Sequence, residues 1–240
     1  MLVKTEAILI NKIKYSDNSI IVSLFTSELG KISAIVRLSH KSKSNLKPAL
    51  FFHLNIITTE INFKNTIEVQ NLKYCESNYI LADLCSDINK IAISQFIAEI
   101  LFKTIREQSP NQNLFEFLKN YILQLNETKN NVSNFHLNFL RDFADLEGFK
   151  IYNNFSKEVP YFNFIEGMFF PIFFSDEESL DYQHSELLHN FLKSNSTENP
   201  IKINYQHRKE LINIFMKYYQ NHFAGFKELK TLKVLEDLFS

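Results

Sequence analysis

Five short apolar runs fall within the first 75 residues, and none is separated from the next by enough chain for a crossover helix. They are LVKTEAILINK (2–12), IIVSLF (20–25), KISAIVRL (31–38), LFFHLNIITTE (50–60) and a run near 66–74. In the third, Ile32, Ala34, Val36 and Leu38 share one face, while Lys31, Ser33, Ile35 and Arg37 share the other, the period of a half-buried strand. Turn residues punctuate the runs at Tyr15–Ser19 and Ser27–Gly30, with Gly30 suited to a positive φ. Pro48 marks a boundary before the fourth strand, because it has no N–H to give a ladder. Five strands this closely spaced predict a small antiparallel barrel, and the five-stranded barrel that takes oligonucleotides on one face is the OB-fold.

Near residue 80 the period becomes helical. Residues 87–106 are apolar on nearly every side, as in a helix at the centre of a bundle. A one-sided stripe follows over 114–125, and another, Phe135 to Leu146, has Gly148 placed as its stop. Further helices are predicted over 178–193, with Asp176-Glu177-Glu178 read as its capping acids, and over 207–222 and 229–239. Between them, FSKEVPYFNFIEGMFFPIFF (155–174) reads as an aromatic hairpin turning at Ile165–Gly167. The class is therefore α+β: an OB-fold nucleic-acid-binding domain over 1–79, then a mainly helical domain over 80–240 carrying the hairpin and a surface for protein partners.

Charge divides the same way. The net charge is −1, which argues against a general nucleic-acid coat. Yet residues 1–79 hold ten Lys and Arg against six acids, and the remainder sixteen against twenty-one. Lys31, Arg37, Lys41, Lys43 and Lys47 form a cationic strip along the third strand and its following loop, with no acid between Glu28 and Glu60. A solvated loop is the plain reading of such a run. Cations that continue onto the strand's outward face favour phosphate contact instead. Period 2 puts Phe51 and Phe52 on opposite faces, so Phe51 either offers a base-stacking platform or is covered by the helical part. Lys227, Lys230 and Lys233 lie beside the last apolar helix as candidates for a partner surface, or as its solvated face.

Several chemistries lack their residues. With four glycines in the chain, there is neither a phosphate-cradling loop nor a dinucleotide fingerprint. The two cysteines, Cys75 and Cys85, have no CxxC spacing and are read as buried or inert, which points to a reducing compartment and no metal site. No apolar run approaches the roughly 20 residues of a membrane helix, so a cytoplasmic chain is expected. No catalytic residue is assigned.

The run KTEAILINKIKYSDNSIIVSLFTSELGKISAIVR resembles the opening of the bacterial DNA repair and recombination family RecO. FLRDFADLEGF (139–149) is similar to the family helix that ends in Leu-Gly-Phe or Gly-Tyr, and KYYQNHFAGFKELKTLKVLEDLF (217–239) to its tail. The resemblance implies a mediator of the RecF pathway. Such a protein binds single- and double-stranded DNA, anneals complementary strands coated by single-strand-binding protein (SSB) and, with RecR, assists RecA loading. It also implies that the basic positions named above meet DNA, that an acidic SSB tail is bound on the helical domain, and that the protein is associated with the nucleoid. Many members carry a four-cysteine zinc site after the Leu-Gly-Phe helix. This chain has no cysteine there, so no zinc or other cofactor is expected, and aromatic packing must hold the hairpin. The alternative is a protein-binding adaptor of the repair or replication machinery with little DNA affinity of its own.

Overall fold

The first strand, β1 (Leu2–Ser16), is hydrogen-bonded along both edges. Its first half pairs with β4 (Ile56–Asn62), and from Ala7 onward it pairs with β2 (Ser19–Thr26). A register shift between Leu9 and Asn11 leaves Ile10 as the extra residue of a bulge, the device that bends a long strand around a small barrel. The structure, a computed structural model, describes residues 1–39, 45–106, 109–129, 132–194 and 203–239.

The sheet continues through β3 (Gly30–Arg37) to β5 (Val69–Glu76) and closes in the order β1-β2-β3-β5-β4. All pairings are antiparallel except β3 with β5, which run parallel over Ser33–Ile35 and Val69–Asn71. This is the OB-fold barrel expected from the strand spacing. Gly30 sits at φ 66, and Thr26 tightens the β2–β3 turn, its hydroxyl donating to the Gly30 carbonyl at 2.9 Å. Ala7, Leu9, Val22, Leu24, Ala34, Val36 and Ile57 fill the interior. Cys75 joins them with its thiol pushed up to about 12 by burial, whereas Cys85 is exposed rather than buried.

The strand expected over 50–60 begins later. Pro48–Leu50 forms a turn of 3-10 helix, and Leu54 stands at φ 64. A non-glycine residue in that region costs about 1–2 kcal/mol. The conformation is held by β1, since Leu54 N–H donates to the Leu9 carbonyl at 2.8 Å and Leu9 N–H donates to Asn55 at 3.0 Å. It also breaks the alternation, and Phe51 and Leu54 are both buried, Phe51 within the barrel core.

The chain folds as two compact units, residues 1–132 and 133–240. The first joins the barrel to α1 (Ala82–Ser86), α2 (Ile88–Thr104) and α3 (Gln112–Glu127). Asp87 caps α2 by accepting from the Asn89 and Lys90 amides. Burial on nearly all sides of α2 matches its unbroken apolar pattern, and it packs on β1. The one charge it buries, Lys90, donates to Asp83 at 3.0 Å and to the Asn126 carbonyl at 2.7 Å. The amphipathic α3 turns Phe115 toward Phe25 of β2, ring centroids 6.2 Å apart, and Lys119 to Glu6 of β1 at 2.8 Å.

The second unit holds α4 (Phe135–Leu146), the hairpin β6 (Tyr161–Asn163) and β7 (Met168–Phe170), α5 (Tyr182–Lys193), α6 (Tyr205–His222) and α7 (Leu232–Leu238). Gly148, at φ 87, follows α4 as predicted. The helix expected from residue 178 starts at Tyr182, because its cap is Asp181 rather than the acids at 176–178. Asp181 accepts from the His184 amide at 2.9 Å. Phe143 of α4 stacks on Phe223, and Tyr219 of α6 donates to the Leu140 carbonyl at 2.8 Å. Among the described residues, no helix is long and apolar enough to cross a membrane.

Because Phe115 is fully buried, Phe115→Ala is expected to cost about 3 to 5 kcal/mol. Hydrogen exchange should show β2 and α3 losing protection together. If β2 kept its protection while α3 opened, the barrel and helix would be independent.

Candidate nucleic-acid interface

One end of the barrel gathers cations through main-chain pairing. β3 ends at Arg37, opposite Ser19, the first residue of β2. Leu38 N–H donates to the Asn18 carbonyl at 2.8 Å, tying the end of β3 to the β1–β2 turn. Ser39 N–H donates to the Leu46 carbonyl at 3.0 Å, which brings Lys47 back beside the stem that carries Arg37. Arg37 and Lys47 are both exposed. Lys41 and Lys43, the middle of the predicted strip, lie outside the described residues.

β1 adds to this end, since it runs four residues beyond the predicted strand. Its tip presents Lys14, and Tyr15 at 65% exposure. Lys14 is 3.5 Å from Asp17, but the pair is almost wholly in water, where such pairs contribute little. Tyr15 is the exposed ring that a base could stack on. The sequence placed it in a turn cluster; only continuation of the strand through Ser16 sets it on the barrel's end.

Phe51, the residue considered for stacking, is 1% exposed and belongs to the barrel core. Its assignment as a nucleic-acid contact is therefore corrected. The inward turn before β4 replaces the alternation on which that reading rested. Its carbonyl instead accepts from the Lys12 ammonium at 2.6 Å. Burial lowers the pKa of Lys12, and burial together with the nearby Lys12 charge lowers that of His53.

Lys31 faces a different neighbour from the rest of the strip. Its ammonium donates to the carbonyls of Phe102, at 2.6 Å, and Ile105, at the C-terminal end of α2, and lies 4.8 Å from the Phe102 ring centroid. A cation there satisfies orphan carbonyls and the helix dipole. Burial, followed by the charge of Arg106, brings its pKa down to about 8. Lys31 thus fastens barrel to helix on the wall of a cavity of about 670 Å³. Lys64, Gln70 and Arg106 also line that cavity, with Lys64 and Arg106 exposed. No reading of the strip anticipated Lys64 or Arg106, because neither lies in a local run of cations.

Lys227, Lys230 and Lys233 are exposed around buried Leu229 and Leu235 on and before α7. Among the described residues, no three of His, Cys, Asp and Glu come together as metal ligands would.

Known proteins match this chain along nearly all of it. Residues 1–81 match the family model for the recombination protein O N-terminal domain, and residues 85–232 that for its C-terminal domain. The chain is similar to the DNA repair protein RecO of Flavobacterium psychrophilum, 34% identical over 245 residues, and to that of Flavobacterium johnsoniae, 31% identical over 242. It is also 30% identical over 244 residues to that of Azobacteroides pseudotrichonymphae. All three alignments cover 100% of both chains.

If the barrel end meets a phosphate backbone, Arg37→Glu with Lys47→Glu should weaken binding of a labelled oligonucleotide at least about tenfold. It should also flatten the salt dependence by about 0.7 per lost contact. Lys31→Met should change affinity less than about twofold, since that charge is already engaged. Anisotropy titrations at several salt concentrations check both, and an equal loss for Lys31→Met would place the contact at the cavity instead.

Proposed function

We propose, from the premise that this chain belongs to the RecO family of DNA repair and recombination proteins, that it is a DNA-binding mediator that anneals complementary strands. The observation that carries this reading is the convergence of Arg37, Lys47, Lys14 and Tyr15 on one end of the barrel. Cations there neutralise the backbone without reading sequence, and Tyr15 supplies a sequence-tolerant stacking surface. A strand held this way is screened enough for a complement to approach, and pairing then needs no bond made or broken by the protein. The role is accordingly non-enzymatic, in the bacterial cytoplasm at the nucleoid.

In this reading SSB is a partner through its acidic tail, for which Lys227, Lys230 and Lys233 are the proposed contacts. RecR is a second partner, and through it the chain assists RecA loading in the RecF pathway. The adaptor alternative draws on the diversion of Lys31 to α2, which takes one cation out of the predicted strip.

The chain is also proposed to work without zinc. Protein groups supply the fastening that a metal would give its hairpin. The Asn154 side chain donates to the Phe169 carbonyl at 3.0 Å and accepts from its amide at 2.9 Å. Asn163 accepts from the Ile165 and Glu166 amides, both at 2.9 Å. Phe162 packs edge-on against Phe164 and Phe169.

Complementary labelled oligonucleotides coated with SSB should anneal faster with this protein, and the acceleration should fall as salt rises. Binding to SSB with no acceleration would establish the adaptor, and neither activity would overturn the mediator reading. Elemental analysis of the purified chain should find zinc well below one atom per chain; a stoichiometric content would refute the metal-free hairpin.

A further inference from the structure

The hairpin of the second unit has two aromatic faces, and only one is inside. Strand alternation turns Phe162 and Phe169, a cross-strand pair, into the core, where they are 0% and 2% exposed. The next pair, Tyr161 and Phe170, points to the other face. After β7 the chain folds back over that outer pair. Phe173 packs edge-on against Tyr161 at 5.7 Å between centroids, and Phe174 against Phe170 at the same distance. Ile172, just before these two rings, is 63% exposed, Phe174 52% and Phe173 37%. A soluble protein commonly scatters such residues singly. Here three stand at consecutive positions, an exposed apolar run of the kind that interaction surfaces use.

The surroundings of this patch are acidic. Between Tyr152 and Tyr182 the chain carries six acids, Glu158, Glu166, Asp176, Glu177, Glu178 and Asp181, against the single cation Lys157. Asp176 and Glu177 follow Phe174 after Ser175 and are exposed, and Glu158 lies exposed three residues before Tyr161. From α6 the ammonium of Lys217 reaches this rim, donating to the Asp176 carbonyl and lying 4.5 Å from the Phe164 ring centroid, and the acids still outnumber the cations here. The hairpin's strand edges are also occupied, by bridges from Tyr152 to Met168 and from Asn163 to Ser179. An occupant must therefore dock through side chains instead of adding a strand.

We propose that this outer face docks a cationic, amphipathic peptide segment of another protein. The segment's apolar side would cover Ile172, Phe173 and Phe174, and its Lys or Arg residues would meet Asp176 and Glu177. Charge complementarity selects that occupant. DNA, an anionic membrane or an acidic tail would be repelled, and a second copy would bring two acid-rimmed faces together. The surface is independent of the barrel's cationic end and of the function proposed there.

The probes are a labelled Lys/Leu amphipathic peptide, a Glu/Leu peptide with the same apolar pattern and a Lys/Ser peptide of equal charge, each titrated against the full chain by fluorescence anisotropy. The Lys/Leu peptide should bind saturably, the Glu/Leu peptide not at all, and the Lys/Ser peptide at least about tenfold more weakly. Ile172→Ser with Phe174→Ser should cost about tenfold, the loss typical of an anchor residue. Asp176→Lys with Glu177→Lys should cost as much while leaving oligonucleotide binding and thermal stability unchanged. Equal binding of the Lys/Ser peptide, or Lys/Leu binding indifferent to both pairs of changes, would overturn the proposal. So would a sedimentation result in which the unmodified chain dimerises and the serine variant does not.

Discussion

The double pairing of β1 is the interaction on which the first unit depends. One continuous strand gives hydrogen bonds to β2 along one edge and to β4 along the other, so neither edge is left as a template for aggregation. Its central residues, Ala7 to Ile10, are buried on both faces, because alternate positions fill the barrel while those between them lie under helices. The same strand imposes the left-handed turn at Leu54, which orients Phe51 inward. Barrel closure, helix docking and the inward turn before β4 therefore share one cause.

Cations of this chain divide by what surrounds them. Lys31 satisfies the end of α2, Lys90 is enclosed with Asp83 and Asn126, Lys12 holds the Phe51 carbonyl, and Lys119 meets Glu6. Each of these joins segments distant in the chain and contributes to folding more than to any field felt outside. Arg37 and Lys47 remain exposed to solvent at the barrel end. A net charge near zero is thus compatible with a local cationic surface, since screening over about 8–10 Å makes neighbours matter more than the total.

The second unit is organised around rings. Phe143, Tyr219 and Phe223 join α4 to α6, and Phe162 and Phe169 seat the hairpin. Close packing leaves Gly167 little latitude. It sits at φ 67, and a Cβ there would stand 2.7 Å from the Tyr218 hydroxyl. Asn154 and Asn163 meanwhile satisfy main-chain groups that a loop this irregular would otherwise leave unpaired.

Local periodicity was sufficient for most of the architecture. Strand alternation in 20–25 and 31–38, the change to a helical period near residue 80, the stop at Gly148 and the hairpin turn at 165–167 are each properties of a few adjacent residues, and the elements formed there. The sequence by itself also determined the excess of cations in residues 1–79 and the absence of cysteine around the hairpin. Only the tertiary structure decided which of those cations face water and which rings are buried. Lys31 finds its acceptor 71 residues away, Phe51 is turned inward by pairing between Leu9 and Leu54, and Tyr15 reaches the barrel end because pairing with β2 carries β1 into the predicted turn. Side-chain direction along one strand repeats every two residues and can be read locally. What a side chain meets depends on which distant segment packs against it.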